Sequence, residues 1–475
     1  MSIFDGLEKF GDKIAFVCES GEVSYIDFIE LSSVISGLVL PRSLVFLVGC
    51  NELNCVAAYV GFLRRRVVPL LLNDNISVAQ LKNLIDIYLP LYIFICVDKS
   101  GEFSGDYEVA GEFGGYILLR RIGGGVGKFS GVGGVELHDD LGLVLTTSGS
   151  TGSPRLVRIS YKNILTNTES IIDYLKITSS DRAITTMPMA YSYGLSIINT
   201  HLKAGASIIL TEATLMDRGF WDIFKKYRPN TFGGVPYIFE MLKRLRFGRM
   251  DLSFMRYITQ AGGKLDGEFV AEFRDICADK GIEFIVMYGQ TEATARMAYL
   301  PFERTYDKKN SIGVAIPGGK FWLENDDGKI INEPNIAGEL IYQGDNVSMG
   351  YANNADDLTK ADENCGVLRT GDIAQCDVDG YYYIVGRKKR FLKIFGNRVN
   401  LDEVDMLLKR AGYDAVATGK DDKLKIFVTK NQIDKIKNLL AEQLKLNPIA
   451  FDIELIEQIP RNNAGKILYA NLPEI

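Results

Sequence analysis

The feature that most constrains the fold is a repeated exchange of apolar runs with helical stretches. Residues 43–48, 67–72 and 91–97 read as buried strands, and residues 53–62 and 78–88 between them carry helical spacing. The exchange resumes downstream, where 182–186, 207–211, 231–233, 257–259 and 283–287 read as strands between helices. Such alternation builds mostly parallel sheets covered by helices, so the chain is expected to be α/β. Its 475 residues allow about three domains. Residues 101–136 are dense in glycine and read as irregular hairpins or a mobile surface excursion. From 313 to 386 the texture changes to short strands, with hairpin turns at Asp326-Asp327-Gly328 and Asp379-Gly380. A compact α/β tail follows. It has a helix over 401–411 that Asn400 could cap, strands over 414–418 and 423–429, a helix over 433–444 and a strand over 451–457. The expected division is a large domain over 1–386, including the β-rich subdomain, and a small one over 387–475.

Charge and composition exclude several functions. With 54 basic and 60 acidic residues the net charge is −6, which argues against a general polyanion binder. The basic runs are Arg64-Arg65-Arg66, read as a solvated helix end, and Arg387-Lys388-Lys389-Arg390. The opening segment carries acids where a secretion signal needs a basic end and an apolar core, and runs such as 44–50 and 91–97 are too short to span a bilayer. Seven cysteines form no CxxC pair and read as reduced, mostly buried thiols of a cytoplasmic protein. The only histidines, His138 and His201, have no metal-ligand spacing, so neither a His-based zinc site nor a Ser-His-Asp triad is expected. Chemistry must then fall to Lys, Arg, carboxylates and hydroxyls.

Residues 145–155, LTTSGSTGSPR, concentrate such groups. Gly149 and Gly152 free the backbone, Ser148, Ser150, Thr151 and Ser153 add hydroxyls, and Arg155 adds a cationic fork. The combination suits phosphates approached by backbone N–H groups. The order is neither a Walker loop nor the dinucleotide fingerprint. The loop is expected to join a buried strand (141–145) to a helix starting near Asn163. Four more segments meet the needs of a nucleotide site. Tyr288-Gly289-Gln290-Thr291-Glu292 follows a strand end, where Tyr288 could stack on a purine, Thr291 bond a phosphate and Glu292 hold a hard cation. Thr370-Gly371-Asp372 places a carboxylate on a tight turn. Gly386 to Arg390, with Lys393, Gly396 and Arg398, gathers cations at a domain junction. Lys466 sits on a glycine loop near the end, PRNNAGK.

In this order the motifs TSGSTGSPR, YGQTEAT, RTGD, GRKKRFLKIFGNRV and PRNNAGK resemble the adenylate-forming superfamily, which includes AMP-forming acyl-CoA synthetases. MPMAYSYGL, GGVPYIFEML and QAGGKL add weaker matches. The resemblance implies a large adenylation domain and a small mobile C-terminal lid. It implies two half-reactions: a carboxylate attacks the α-phosphorus of ATP to give an acyl-adenylate and pyrophosphate, then a thiol displaces AMP. By match, Ser148, Gly149, Ser150, Thr151, Gly152 and Arg155 embrace the outer phosphates. Gly262, Gly263, Lys264, Tyr288, Gly289 and Gln290 line the nucleotide pocket. Thr291 touches the α-phosphate, Glu292 binds Mg2+, and Asp372 holds the ribose with help from Arg387; Lys393 is counted with the nucleotide-binding cations. Lys389 matches the hinge and Lys466 the catalytic lysine. Two departures stand out: Arg155 occupies a position where lysine is usual, and Tyr191 one where acyl-CoA synthetases often carry histidine.

The acid pocket is expected from Tyr191, Ser192, Tyr193, Gly194, Val235 and Pro236. These are aromatic, small or apolar, so a fatty, hydroxylated or aryl acid fits. Residues 188–194 hold no aspartate to grip an α-ammonium, so a free amino acid is not expected. Coenzyme A is the expected thiol. The alternative is a carrier-protein phosphopantetheine acting in trans. A nucleotide-binding regulator without turnover is disfavoured because Glu292, Asp372 and Lys466 are all present, and nucleic-acid binding through GRKKR is not expected.

Overall fold

The computed structural model describes residues 2–122, 136–146, 155–388, 390–394, 397–420, 422–444, 446–461 and 467–473. They form two compact units. One comprises Met1–Lys309, Ala315–Lys320 and Gln343–Leu368; the other comprises Asn310–Val314, Phe321–Tyr342 and Arg369–Ile475. Most of the β-rich segment thus shares a unit with the tail.

The first unit is α/β, built on two sheets. In one sheet Gly350–Ala352, Leu156–Ser160, Leu141–Thr146, Val68–Asn73, Leu44–Gly49, Tyr92–Cys96, Tyr116–Arg121 and Tyr107–Phe113 lie side by side in that order. Its centre is parallel and its flanks antiparallel. The central strand Leu44–Gly49 is buried at every position, as a run of Leu, Val and Phe between helical layers must be. The other sheet contains, in order, Ala298–Leu300, Glu283–Tyr288, Tyr257–Gln260, Thr231–Gly234, Arg182–Ile184, Ser207–Ile209, Ile14–Cys18 and Gly21–Ser24. From Glu283–Tyr288 to Ile14–Cys18 every pairing is parallel. The helix Ser192–Ala204 packs on this sheet, burying Leu195, Ile198 and Leu202 with Phe16 and Ile208 in one core.

Two expectations are corrected here and a third is resolved. The chain after the glycine-rich loop does not enter a helix directly. It forms the strand Leu156–Ser160, antiparallel to Leu141–Thr146, and the helix Tyr161–Leu175 begins only after Ser160 caps it. Arg158 disguises this strand in the sequence, because a charged residue interrupts the apolar run. The side chain is nevertheless fully buried, bonding the carbonyls of Met349 (2.8 Å), Tyr351 (3.1 Å), Ala361 (3.2 Å) and Lys360, and the Glu363 carboxylate. Second, of the two readings of residues 101–136 the irregular hairpin is the one found: Tyr107–Phe113 and Tyr116–Arg121 pair about Gly114 and Gly115, both with positive φ, with a register shift between Val109 and Gly111. Residues 123–135 lie outside the described residues. Third, the arginines at 64–66 are partly anchored rather than solvated. Arg64 pairs with Glu8, and Arg66 bonds the Asp139 carbonyl at 2.7 Å and lies over the Tyr161 ring.

The second unit holds nearly all of a five-stranded sheet, in the order Ile330–Ile331, Lys320–Glu324, Gly338–Gln343, Val367–Cys376 and Tyr382–Arg387. Gly328 and Gly380 take the positive φ that the two hairpin signals require. In the tail, Ala415–Lys420 pairs antiparallel with Lys423–Val428, which pairs parallel with Phe451–Leu455. The helices Leu401–Arg410 and Ile433–Leu444 supply Val404, Leu408, Ile436 and Leu440 to a core with Leu424 and Ile426. All seven cysteines are free; Cys50, Cys55 and Cys277 are buried and Cys365 is exposed. Among the described residues no helix is long and apolar enough to cross a membrane.

Candidate active site

Parallel strands end on the same edge of a sheet, so their following loops must gather there. Four adjacent parallel strands do this: Arg182–Ile184, Thr231–Gly234, Tyr257–Gln260 and Glu283–Tyr288. The segments MPMAYSYGL, VPYIFEML, AGGKL and GQTEAT emerge from them in that order.

The contacts between these segments are close. Gly262 takes φ +84°, and a Cβ there would lie 2.5 Å from the Tyr191 hydroxyl and 3.0 Å from a Val235 methyl. A Cβ at Gly263 would meet Pro236 at 3.1 Å. Gln260 bonds the Gly263 carbonyl at 2.8 Å and fixes the loop. Tyr191, Val235, Pro236, Gly262 and Gly263 therefore share one wall, with Lys264 exposed beside it. Ser192 Oγ lies 3.4 Å from Thr291 Oγ1, joining the acid-pocket segment to the GQTEAT loop. Gly194 serves packing, since its absent Cβ would sit 2.4 Å from the Pro188 carbonyl. Tyr193 turns inward, its phenol hydroxyl bonding the Thr259 hydroxyl at 2.8 Å and donating to the Thr259 carbonyl at 2.9 Å. Burial pushes the Tyr193 phenol up to about 12 and raises that of Tyr191.

The GQTEAT loop is folded on itself. Ala293 N–H donates to the Gln290 carbonyl and Thr294 N–H to that of Thr291. Thr294 takes φ +66°, a conformation disfavoured for a β-branched residue, and its hydroxyl donates to the Asn346 carbonyl at 2.7 Å. Asn346 returns a bond to the Ala293 carbonyl at 3.0 Å. Gly289 is required by this turn, because a Cβ would come within 1.9 Å of the Ala295 carbonyl oxygen. Gln290 donates to the Tyr288 hydroxyl at 3.2 Å.

Two functional candidates escape the sequence reading. Tyr351, on the strand Gly350–Ala352, donates its hydroxyl to Glu292 Oε1 at 2.8 Å. Burial first, then the adjacent Glu292 charge, raises its phenol well above the usual range and keeps it a donor. The Arg155 guanidinium lies over the same ring, 4.0 Å from its centroid. Tyr351 thus connects the arginine of the glycine-rich motif to the Glu292 carboxylate. The second candidate is Arg296, just beyond GQTEAT, which is 3% exposed and lies 3.8 Å over the Tyr193 ring. A GYAN segment and a lone arginine carry no sequence signal strong enough to single them out.

His201 is structural. Its ring is buried, bonds Thr231 Oγ1 at 3.0 Å and the Ile197 carbonyl at 2.9 Å, and burial lowers its pKa to about 4. In the second unit, Asp372 is 2% exposed and pairs with Arg387 Nε at 3.1 Å, opposite it across the sheet. Lys393 lies on the strand Phe391–Ile394, opposite Arg398. Ser148, Gly149, Ser150, Thr151, Gly152, Lys389 and Lys466 lie outside the described residues. Among the described residues no three His, Cys, Asp or Glu side chains form a metal cage. Magnesium carried on a nucleotide needs only one or two carboxylates, and Glu292, held through one oxygen, meets that requirement.

Residues 4–352 match the family model for AMP-binding enzymes. The chain is 30% identical over 279 residues to an oxalate–CoA ligase of Arabidopsis thaliana, covering 58% of this chain and 53% of that protein. It is 27% identical over 350 residues to a long-chain-fatty-acid–CoA ligase of Escherichia coli O157:H7, covering 70% and 61%. The chain thus spans between half and two-thirds of the length of these curated relatives. Its fold is that of o-succinylbenzoate CoA synthetase (MenE) from Bacillus subtilis, solved with the acyl-adenylate OSB-AMP, with TM-score 0.81 at 19% identity over 100% of this chain and 98% of that one. By sequence, and with the matching fold and convergent loops, the chain belongs to the AMP-binding enzyme family.

Proposed function

We propose that this protein is an AMP-forming acid–thiol ligase. It joins a fatty, hydroxylated or aryl carboxylic acid to AMP with release of pyrophosphate, then transfers the acyl group to coenzyme A and releases AMP. The observation that carries the reading is the meeting of Ser192 with Thr291, on loops that follow two of the four adjacent parallel strands, with Tyr351 bonded to Glu292 and Arg155 over the Tyr351 ring. The CoA ligases among the relatives support coenzyme A as the acceptor.

Nucleotidyl transfer needs positioning and charge neutralisation rather than a protein nucleophile. In this reading Tyr191, Val235 and Pro236 wall the acid, and Ser192 and Thr291 present hydroxyls to its carboxylate and the α-phosphate. Gly262, Gly263, Lys264, Tyr288, Gly289 and Gln290 take the adenine side, and Asp372, steadied by Arg387, accepts the ribose hydroxyls. Residues 148–152 and Arg155 take the outer phosphates. Glu292 is the Mg2+ ligand, oriented by Tyr351; the ion, when bound, neutralises phosphate charge. Lys466 is the cation that stabilises the transferring α-phosphoryl group, Lys393 adds positive charge for the nucleotide, and Lys389 is the hinge of the tail beginning at 387.

ATP–pyrophosphate exchange over a panel of carboxylic acids, with mass spectrometry of the thioester, tests the proposal. Acid-dependent exchange and an acyl-CoA product are expected. No exchange with any acid class would overturn adenylation. A thioester formed only on a holo-carrier protein would overturn the choice of acceptor.

A further inference from the structure

Two arginines are buried among the described residues, and they are satisfied very differently. Arg158 has four backbone carbonyls and the Glu363 carboxylate around its guanidinium. Arg296 has no carboxylate partner among the described residues. Its acceptors are neutral: the Ala295 carbonyl at 3.4 Å and the Tyr174 hydroxyl. Its Nε is buried without a partner. The face of Tyr193 beneath it stabilises the cation but offers no in-plane acceptor to the five N–H donors. A buried cation left in this state is costly unless an anion completes it.

The surroundings indicate where that anion comes from. Arg296 lines a cavity of about 20 Å³ with Tyr193, His201, Gly233, Thr259 and Met287, room for one or two water-sized groups. The hydroxyls of Tyr193 and Thr200 and the His201 ring are all hydrogen-bonded within the protein, which leaves Arg296 as the polar group with unmet need. Three residues of the cavity lining neighbour the reaction end of the site along the chain. Tyr193 follows Ser192, which contacts Thr291; Met287 precedes Tyr288; and Gly233 lies two residues before Val235. A small molecule whose carboxyl lies at Ser192 and Thr291 would extend its other end toward this cavity.

We propose that Arg296 reads a second carboxylate on the acid, so that the substrate is a short dicarboxylic acid activated at one end. The planar guanidinium fork matches a carboxylate, and the small cavity accepts such a head but excludes a long alkyl chain. This inference rests on the adenylation reading and replaces its fatty, hydroxylated or aryl acid with a short dicarboxylic one.

The test compares malonate, succinate, glutarate and adipate with propionate, butyrate, valerate and hexanoate in ATP–pyrophosphate exchange. At least one diacid is expected to exceed its length-matched monoacid by about tenfold or more in kcat/KM, the scale of a hydrogen-bonded charge pair. R296Q is expected to lower kcat/KM for that diacid about 30-fold, mainly through KM, while leaving the monoacid within about threefold. R296K is expected to recover part of the preference, and melting curves check that both variants fold. Wild-type enzyme that uses monoacids or hydroxy acids as well as diacids overturns the assignment without touching adenylation, and needs no variant. An unchanged diacid-to-monoacid ratio in folded R296Q also overturns it. Failure of every acid to exchange would instead remove the adenylation reading.

Discussion

Replacing Gly289 with alanine tests whether the GQTEAT turn positions the reacting groups. The added methyl carbon would lie 1.9 Å from the Ala295 carbonyl oxygen, 2.8 Å from its carbon and 2.9 Å from Arg296 Cα. All three are backbone atoms, so no flexible side chain can swing aside. Ordinary contact begins near 3.4 Å, so one side of the turn must retreat by about 1.5 Å. The far side is tied by Met297 N–H to the Tyr288 carbonyl, and by the exchange between Asn346 and residues 293 and 294. The near side carries Thr291 and Glu292 and is the part able to yield. Overpacking of this kind costs about 1–3 kcal/mol of stability. A misplacement near 1 Å of groups that must align for in-line transfer costs about a hundredfold in rate. G289A should therefore melt somewhat lower yet remain folded, with pyrophosphate exchange reduced about a hundredfold or more. Exchange within threefold of wild type at an unchanged melting temperature would refute the argument.

Three further outcomes are expected. Y351F removes the hydrogen bond to Glu292, so exchange should fall about tenfold or more and require more Mg2+, measured by titrating the metal at saturating ATP. K466A should lower exchange by about a hundredfold or more with little effect on melting, since charge-stabilising donors act mainly in the transition state. Stability should fall on acidification through His201: its folded pKa of about 4 lies below the unfolded value of 6.5, so the unfolded chain binds the extra proton between these pH values. The contribution is fully present above pH 6.5 and lost progressively toward pH 4, roughly 3 kcal/mol in all, and denaturant titrations of wild type and H201Q across that range should differ in slope.

Much of this arrangement is legible in the residues because burial and turn chemistry act locally. The helices at Val78–Tyr88 and Ile433–Leu444 follow from spacing alone, and Gly328 and Gly380 announce their hairpins. The gathering of MPMAYSYGL, GGVPYIFEML, QAGGKL and YGQTEAT is equally readable, because each follows a short apolar run that must become a parallel strand. What escapes is set by distant partners. Arg158 hides a strand because a lone charge in an apolar run reads as surface, and only the carbonyls of residues 349–361 make it an interior group. Tyr351 reaches Glu292 across 59 positions of sequence, and Arg296 is significant only because no acid among the described residues meets it. Neither fact is encoded near the residue concerned.

Arg158 has a wider consequence. Its guanidinium fastens the strand at Tyr351, through the carbonyls of Met349 and of Tyr351 itself, and then grips the chain at Lys360 and Ala361. The phenol bonded to Glu292 is therefore moored by a side chain that never meets solvent. Damage to this anchorage would surface as faulty chemistry at a distance, in an enzyme whose reactive groups were all intact.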